Sequence, residues 1–467
     1  MDDTIVLYPA TGRGHLVSMI ELAKLIAKHH TSIKITIILL TPPNETISTS
    51  SIPSINFIHL PPTSLPPPVT PPSFRDIVAS FFELPRLNNP NLHQTLLSLS
   101  KTANIKAFVI DFFCNSAVQV SSTLNIPTYY FYTSNANGLC HFLYSPTISE
   151  NIPDSLEDLD IVIDTPGIPS LSSKVLPPVM LDRSHKVYQY FIDTASQMAK
   201  SAGLLVNTFE SLESRAIKAI IEGKCTPDIP VPPIYCIGPI VSSRKTKEEH
   251  ECLAWLDSQP SRSVVFLSFG SMGAFSATQL KEMAIGLEKT GVNFLWVVRN
   301  PPENGQTSDG MLLEELNLET LFPEGFLERT KERGFLVKQW APQVAILNHD
   351  SVGLFVTHCG WNSILESLCA GVPMLAWPLY AEQKMNSVFL VEEMKMALPV
   401  NQPEDGFVSG EELEQRLTEL MNSEKGQTIQ KRVIAMKEAA AEAASEGGSS
   451  RFALAQLVDA MVRVGKK

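Results

Sequence analysis

The chain has 467 residues, of which 44% are apolar, and this is enough to build two hydrophobic cores with a cleft between them. Its formal net charge of -12 argues against nucleic acid or an anionic membrane as the main partner, because both reward clustered Lys and Arg. The seven cysteines form an odd set without a C-x-x-C pair, which is typical of thiols in a reducing compartment. No apolar stretch approaches the roughly 20 residues that span a bilayer. We therefore expect a cytoplasmic protein that does not insert into membranes.

The first part of the chain alternates short β-rich runs with helical stretches. Strands are predicted at residues 5–8, 34–40 and 107–110, and a helix is predicted at residues 16–27. This alternation predicts a parallel sheet covered by helices. The prolines between residues 61 and 72 interrupt the pattern with a loop, and long inserts of this kind usually border a functional opening.

A second alternating series follows the turn-rich, polar stretch 232–249, which we interpret as an interdomain linker. Strands are predicted at residues 263–269, 293–298, 335–338, 353–356 and 374–377. The second half is therefore also predicted to be a doubly wound α/β sheet. After Gly447 and Gly448 the chain continues as a predicted helix, at about residues 450–464, whose apolar face needs a surface to cover.

Ligands of open α/β sheets bind at the carboxyl ends of strands, so the residues that follow each predicted strand are informative. After the strand at 353–356, the chain enters a helix through Asn362 and Ser363. A helix exposes unpaired N–H groups at this point, which favours a diphosphate. Glu366 lies one turn beyond Asn362, and its carboxylate can reach the hydroxyls of a ribose attached to that diphosphate.

Other predicted strands of the second half end in residues of similar chemistry. Trp340 supplies a flat face for stacking a base, while Glu382 and Gln383 suit the hydroxyls of a sugar. Gly270 and Ser271 combine close backbone approach with a small hydroxyl. Four strand ends together predict a site for a nucleotide-sugar.

The stretch from Trp340 to Gln383 resembles the 44-residue UDP-sugar signature of the plant family 1 glycosyltransferases. The resemblance extends from the glycine-histidine turn at His15 to Gly447-Gly448 and the terminal helix. It implies the GT-B fold, in which two Rossmann-like, doubly wound parallel-sheet domains face a cleft. The implied parts are an N-terminal acceptor-binding domain (1–240), a linker (241–250), a C-terminal UDP-sugar-binding domain (251–449) and a C-terminal helix that packs back on the N-terminal domain (450–467).

The resemblance also assigns residues to the parts of a UDP-sugar. Trp340 would stack on uracil, Ala341 and Gln343 would hold uracil and ribose, and Glu366 would bind the ribose hydroxyls. The diphosphate would be held by Ser271, His358, Asn362 and Ser363. The sugar would meet Trp361, Glu382 and Gln383, with Gly14 and Thr133 as further contacts. Trp361 and Gln383 resemble the form that uses UDP-glucose, so glucose is favoured, although the strictness of this choice stays open.

A catalytic base is predicted in the first domain. The strand at 5–8 leads into a helix that opens with His15, and the strand at 107–110 ends in Asp111. In a parallel sheet these two ends can be neighbours, and a carboxylate behind an imidazole fixes its tautomer and stabilises its charged form. The resemblance implies that His15 deprotonates the acceptor, that Asp111 supports it, and that the acceptor attacks the anomeric carbon with inversion.

Two rival motifs are less consistent with their surroundings. Gly12-Arg13-Gly14 resembles the start of a dinucleotide fingerprint, but Val17 stands where the third glycine belongs. Asp158-Leu159-Asp160 matches the D-x-D of metal-dependent glycosyltransferases, yet it lies in an acidic, proline-flanked segment that favours a solvated surface run. We expect no metal and no cofactor, with UDP-glucose as co-substrate.

The acceptor itself is the least defined element. Candidate contacts are Phe81, Phe112, His141 and Tyr380, and Phe82, Phe113 and Phe142 could extend the same aromatic pocket. Flavonoids, chalcones and simple phenols are the acceptors that the resemblance favours. Terpenoid acceptors, attack through carbon, and regiochemistry stay open, and we expect a monomer.

Overall fold

The computed structural model describes residues 1–40, 54–66, 72–227, 229–242, 250–301 and 317–463. The chain forms two compact units, of which unit 1 comprises Met1–Ser242 and Ala440–Lys467, and unit 2 comprises Ser243–Ala439. Residues 243–249 of the stretch that we interpret as a linker lie outside the described residues, as does part of the proline-rich insert. Among the helices of the described ranges, none has the length and hydropathy needed to cross a membrane.

Unit 1 is built on a seven-stranded parallel sheet with the order β3-β2-β1-β4-β5-β8-β9. Its strands are β1 (Asp2–Tyr8), β2 (Lys34–Leu39), β3 (Ile55–His59), β4 (Ala103–Asp111), β5 (Thr128–Tyr132), β8 (Gly203–Val206) and β9 (Ile234–Cys236), and β6 (Val162–Ile163) pairs with β7 (Leu171–Ser172) separately. Its helices are α1 (Arg13–His29), α2 (Phe74–Leu99), α3 (Ala117–Thr123), α4 (Ala136–Asn151), α5 (Lys186–Met198), α6 (Ser214–Ile221) and α16 (Ser449–Arg463). Strand order reverses between β1 and β4, and this switch point is where open α/β sheets bind ligands.

Unit 2 repeats the design on a six-stranded parallel sheet with the order β12-β11-β10-β13-β14-β15. Its strands are β10 (Val264–Ser268), β11 (Asn293–Val298), β12 (Gly334–Lys338), β13 (Val352–Thr357), β14 (Met374–Ala376) and β15 (Ala397–Pro399). Its helices are α7 (Glu251–Asp257), α8 (Ala277–Thr290), α9 (Leu318–Leu321), α10 (Phe326–Thr330), α11 (Gln343–Leu347), α12 (Trp361–Ala370), α13 (Gln383–Val388) and α14 (Gly410–Asn422), and α15 (Glu424–Ala444) carries the chain back to unit 1. Here the switch point lies between β10 and β13.

The strands of both sheets are nearly continuous apolar runs because helices cover both of their faces. All five residues of β10 and all five of β5 are buried. Local signals set the ends of helices: Ser276 caps the start of α8 by accepting the N–H of Gln279, and Gly291 ends it at a φ of +69°.

The terminal helix α16 covers one face of the sheet of unit 1. Its apolar residues Leu454, Leu457, Val458 and Met461 belong to the same buried core as residues of β1, β4 and β9. This face is the surface that the predicted helix needed.

Candidate active site

The switch point of unit 1 joins His15 to Asp111. Tyr8 of β1 pairs with Ile110 of β4, so the turn into α1 and the end of β4 reach the same edge of the sheet. His15 Nδ1 lies 2.7 Å from Asp111 Oδ2. The other oxygen of Asp111 accepts the backbone N–H of Phe113 at 3.0 Å, and the side chain is fully buried. The carboxylate is therefore held in one orientation behind the imidazole.

This arrangement determines the tautomer of His15. An ionised carboxylate can only accept hydrogen bonds, so Nδ1 carries the proton and Nε2 is left as the basic nitrogen. The imidazole is 25% exposed, which gives a substrate access to it. Thr133, directly after β5, places its Oγ1 3.1 Å from the same Nδ1. The structure thus brings Thr133 to the predicted base, while its predicted contact with the sugar stays a prediction.

Aromatic rings surround the imidazole. The rings of Phe112 and Phe113 lie with centroids 5.8 Å and 5.1 Å from that of His15. They belong to a connected group, the aromatic cluster, which comprises Phe81, Phe82, Phe112, Phe113, Tyr132, Phe142, Tyr190 and Phe191. Tyr190 and Phe191 of α5 were not predicted from the sequence, although the position of Phe191 on the buried face of an amphipathic helix was a usable signal.

Two candidate acceptor residues lie in other surroundings. His141 is buried in α4, where its Nδ1 lies 3.1 Å from the hydroxyl of Thr165, and burial lowers its pKa to about 4. Tyr380 belongs to unit 2, and its ring centroid lies 6.3 Å from that of His358. The roles of His141 and Tyr380 toward an acceptor stay predictions.

The switch point of unit 2 joins the turn after β10 to His358. Ser268 pairs with Thr357, so Gly270 and His358 lie side by side. A Cβ built on Gly270 or on Gly360 would lie 2.5 Å from Nε2 of His358, so only glycine leaves room for the ring. Burial lowers the pKa of His358 to about 4, with a smaller effect from the charge of Arg299. Its Nδ1 is buried without a hydrogen-bond partner among the described residues, as expected of an atom that awaits a ligand.

Three of the predicted nucleotide contacts form one hydrogen-bonded group. Gln343, at the start of α11, donates from Nε2 to Ser363 Oγ at 2.9 Å and to Glu366 Oε2 at 2.7 Å. Burial raises the pKa of Glu366 to about 7, against the opposing effect of the bond from Gln343. Trp340 remains 48% exposed beside buried Ala341, and this is unusual for so large an apolar surface unless a ligand covers it.

Two predicted sugar contacts, Trp361 and Gln383, and the predicted diphosphate contact Asn362 lie at the starts of two helices. Trp361 and Asn362 are the first two residues of α12, the former buried and the latter half-buried. Gln383 begins α13, and its Oε1 accepts the backbone N–H groups of Leu379 and Tyr380 at 2.9 Å and 3.0 Å. Half-buried Glu382 precedes it. The remaining two predicted contacts are exposed: Gly14 in the first turn of α1, and Ser271.

Comparison with known proteins identifies the family. Residues 92–434 match the family model described as UDP-glucoronosyl and UDP-glucosyl transferase. The chain belongs to this family. This glycosyltransferase is 50% identical to UDP-glycosyltransferase 1 of Pueraria montana var. lobata, over 98% of the chain and 99% of the relative. It is 48% identical to isoflavone 7-O-glucosyltransferase 1 of Glycine max, over 98% of both.

A solved structure extends the comparison to the fold. The glycosyltransferase resembles Phytolacca americana UGT2, solved in complex with UDP-2fluoro-glucose and pterostilbene, with a TM-score of 0.87 and 34% identity over 98% of this chain and 99% of that one. The predicted GT-B fold class, with two parallel-sheet α/β domains, is confirmed, as is the predicted class of enzyme, a UDP-sugar glycosyltransferase.

The rival D-x-D motif of the glycosyltransferase lies on the surface. Asp160 is exposed and pairs with Lys174 at 3.1 Å. Within the described ranges, no three His, Cys, Asp or Glu side chains are grouped as a metal site would require.

One charged residue of the glycosyltransferase was missed by the sequence analysis. Arg299 directly follows β11, and its Nη1 donates to the carbonyl oxygen of Ser271 at 2.5 Å. The rule that located the other residues, a polar side chain after a predicted strand, would also have found this one.

Proposed function

We propose that this glycosyltransferase moves glucose from UDP-glucose to a small phenolic acceptor such as a flavonoid, independently of metal and with inversion at the anomeric carbon. The observation that carries the proposal is the pair of His15 and Asp111 at the edge of the aromatic cluster. The pair provides a base, and the rings provide a surface for a flat acceptor. The isoflavone 7-O-glucosyltransferase and the complex with pterostilbene support a phenolic acceptor.

In the proposed reaction, Nε2 of His15 takes the proton of the acceptor hydroxyl. The hydrogen bond from Nδ1–H to the carboxylate of Asp111 stabilises the imidazolium that forms. The acceptor oxygen forms a bond to C1 of glucose while the bond from C1 to the diphosphate oxygen breaks, and UDP leaves with that electron pair. Because the oxygen attacks opposite to UDP, the configuration at C1 inverts.

The donor is proposed to bind along the carboxyl edge of the sheet of unit 2. Uracil would stack on Trp340, and the ribose hydroxyls would bind the carboxylate of Glu366. The diphosphate would lie at the start of α12, where the helix dipole favours an anion, which is why we propose that no metal is required. Trp361, Glu382 and Gln383 would contact the glucose.

The test is transfer from UDP-glucose to a panel of phenols in EDTA, with product masses recorded. We expect a product heavier by one hexose from the wild type, and a loss of about 10² to 10⁴-fold in kcat for His15→Ala. His349→Ala is the matched control. His349 also pairs with an aspartate, Asp257 at 3.1 Å, but it precedes β13 and so lies at the amino edge of the sheet of unit 2. Activity that needs a metal, or that survives loss of His15, would overturn the mechanism.

The same assay distinguishes the type of bond formed. A product that acid hydrolyses to glucose and the acceptor contains an O-glycoside, as proposed, whereas an acid-stable product would indicate attack through carbon. We also propose that the reaction takes place in the cytoplasm, which is consistent with seven cysteines that are all free thiols. Imaging of a fluorescent fusion tests this location.

A further inference from the structure

The proposed donor has a diphosphate that carries negative charge, and UDP gains more as it leaves. A protein without a metal at this point needs a fixed positive charge to stabilise that group. His358 does not provide one, because burial lowers its pKa to about 4 and the ring is neutral at physiological pH. The start of α12 provides only a partial charge.

Arg299 lies where such a charge is needed. The carboxyl edge of the sheet runs from β12 through β11, β10 and β13 to β14. Trp340, the proposed uracil contact, follows β12, and Glu382, a proposed glucose contact, follows β14. A diphosphate joins these two ends of the donor, so it belongs at the middle strands, and Arg299 directly follows one of them.

One contact and two further observations place the guanidinium more closely. Its Nη1 donates to the carbonyl oxygen of Ser271 at 2.5 Å. Gly270, the neighbour of Ser271, packs directly against the ring of His358. The charge of Arg299 also lowers the pKa of His358 and opposes the rise in the pKa of Tyr380. The guanidinium is therefore close enough to interact electrostatically with both side chains.

We propose that Arg299 is a further catalytic residue, which binds the diphosphate of the donor and stabilises UDP as the leaving group. This inference rests on the proposed function, because it assumes that UDP-glucose is the donor. Arginine suits the task because its planar, permanently charged fork can hold the Ser271 turn and a phosphate oxygen together.

The experiment compares the affinities of UDP and uridine by calorimetry, with the full chain at two salt concentrations. Arg299→Gln removes the charge but keeps N–H donors for the carbonyl of Ser271. We expect it to weaken UDP about 10- to 100-fold, to leave uridine within about 2-fold, and to reduce the salt dependence of UDP binding. Arg299→Lys should recover part of the loss.

Arg262→Met is the matched control. Arg262 also donates to a carbonyl oxygen, that of Gly371 at 3.2 Å, but it precedes β10 at the amino edge of the sheet. We expect UDP affinity to be unchanged in this variant. Should circular dichroism show that Arg299→Gln does not fold, Arg299→Lys decides instead, because a charge at this position must restore preference for UDP over uridine.

The outcomes separate this inference from the proposed function. Unchanged UDP affinity in Arg299→Gln, or an equal loss for UDP and uridine, would overturn the role of the charge. If the wild type binds UDP through Arg299 but transfers nothing to phenols, the acceptor proposal fails and this inference stands. If the wild type does not bind UDP, both fail.

Discussion

Two carboxylates of this protein, buried Asp111 and half-buried Glu366, differ because of their surroundings. Asp111 accepts hydrogen bonds at both oxygens, from His15 and from the backbone of Phe113. Glu366 accepts one from neutral Gln343, and burial raises its pKa to about 7. Donors stabilise an ionised carboxylate, whereas burial alone penalises it. Asp111 is therefore suited to support a base, and a ribose hydroxyl bound as proposed would give Glu366 a second donor.

Asp111→Asn tests the first of these roles. The amide cannot accept from His15 and from Phe113 at both positions, so the orientation of the imidazole and the support for its charge are lost. We expect kcat to fall about 100-fold, which is less than for His15→Ala. Steady-state kinetics with UDP-glucose and a phenol measure this. Asp160→Asn, which disrupts the rival D-x-D motif, should leave kcat unchanged, and a larger loss there would favour that motif.

Glu366→Gln tests the role of the second carboxylate. Between its ordinary pKa of 4.5 and its folded pKa of about 7, Glu366 holds more protons in the folded state than in the unfolded state. The free energy of unfolding therefore falls as pH rises through this window. Glutamine removes that penalty, so we expect Glu366→Gln to match the wild type near pH 4.5 and to exceed it at pH 8 by up to about 3 kcal/mol, while UDP binds more weakly. Urea unfolding at both pH values, with calorimetry for UDP, measures this. Equal stability at pH 8 would contradict it.

At the scale of elements, the connection from β5 to α4 shows how a distant residue holds a site together. Glu213 is buried, and its carboxylate accepts the backbone N–H groups of Ala136 and Asn137 at 3.0 Å and 2.9 Å. An anion at the start of a helix accepts hydrogen bonds from backbone N–H groups that have no partner within the helix. It also interacts favourably with the positive end of the helix dipole. This contact anchors the start of α4, three residues after Thr133.

Glu213→Ala should therefore destabilise the protein. Two buried N–H groups would lose their acceptor, and we expect the free energy of unfolding to fall by about 1 to 3 kcal/mol. Denaturant unfolding measures the change. Glu210→Gln serves as the control, because Glu210 is exposed and lies with Glu213 in the connection from β8 to α6. Equal effects of the two substitutions would mean that the helix start does not depend on this carboxylate.

The predicted strands agree with the structure because parallel strands are apolar runs with polar residues at their ends. The strand predicted at residues 293–298 is observed at the same residues, whereas the one predicted at 107–110 begins at Ala103. The sequence analysis did not identify α2, which contains Pro85 and Pro90. Proline disfavours a helix locally, and here packing against other elements of unit 1 outweighs that preference.

At the scale of the whole molecule, the two units are not two successive segments. The division falls at Ala439 and Ala440, within α15, rather than at residue 449 as the sequence analysis placed it. The helix continues unbroken through this point, so no turn or change in composition marks it. As a result, α16 completes a buried core whose other residues all precede Ser243.

Leu457→Ala tests how far unit 1 depends on that helix. Leu457 is fully buried in the core of unit 1, and a buried Leu to Ala change costs about 2 to 5 kcal/mol. We expect thermal and urea unfolding to show a loss of this size. Gln456→Ala, at the exposed neighbouring position, should change stability little. A loss of less than about 1 kcal/mol for Leu457→Ala would mean that unit 1 is stable without this contact.

The sequence by itself determined the type of both sheets and most of the residues at their edges, because the strands and the polar residues after them are local patterns. Only the tertiary structure decided which strand ends lie side by side within each sheet. Strand order brings Asp111 to His15 and Gly270 to His358, although 96 and 88 positions separate them. The tertiary structure also pairs His141 of α4 with Thr165 and places Arg299 beside Ser271. The physical reason is that hydrophobic periodicity specifies which face of an element is buried, whereas the choice of its neighbour depends on packing across the whole core.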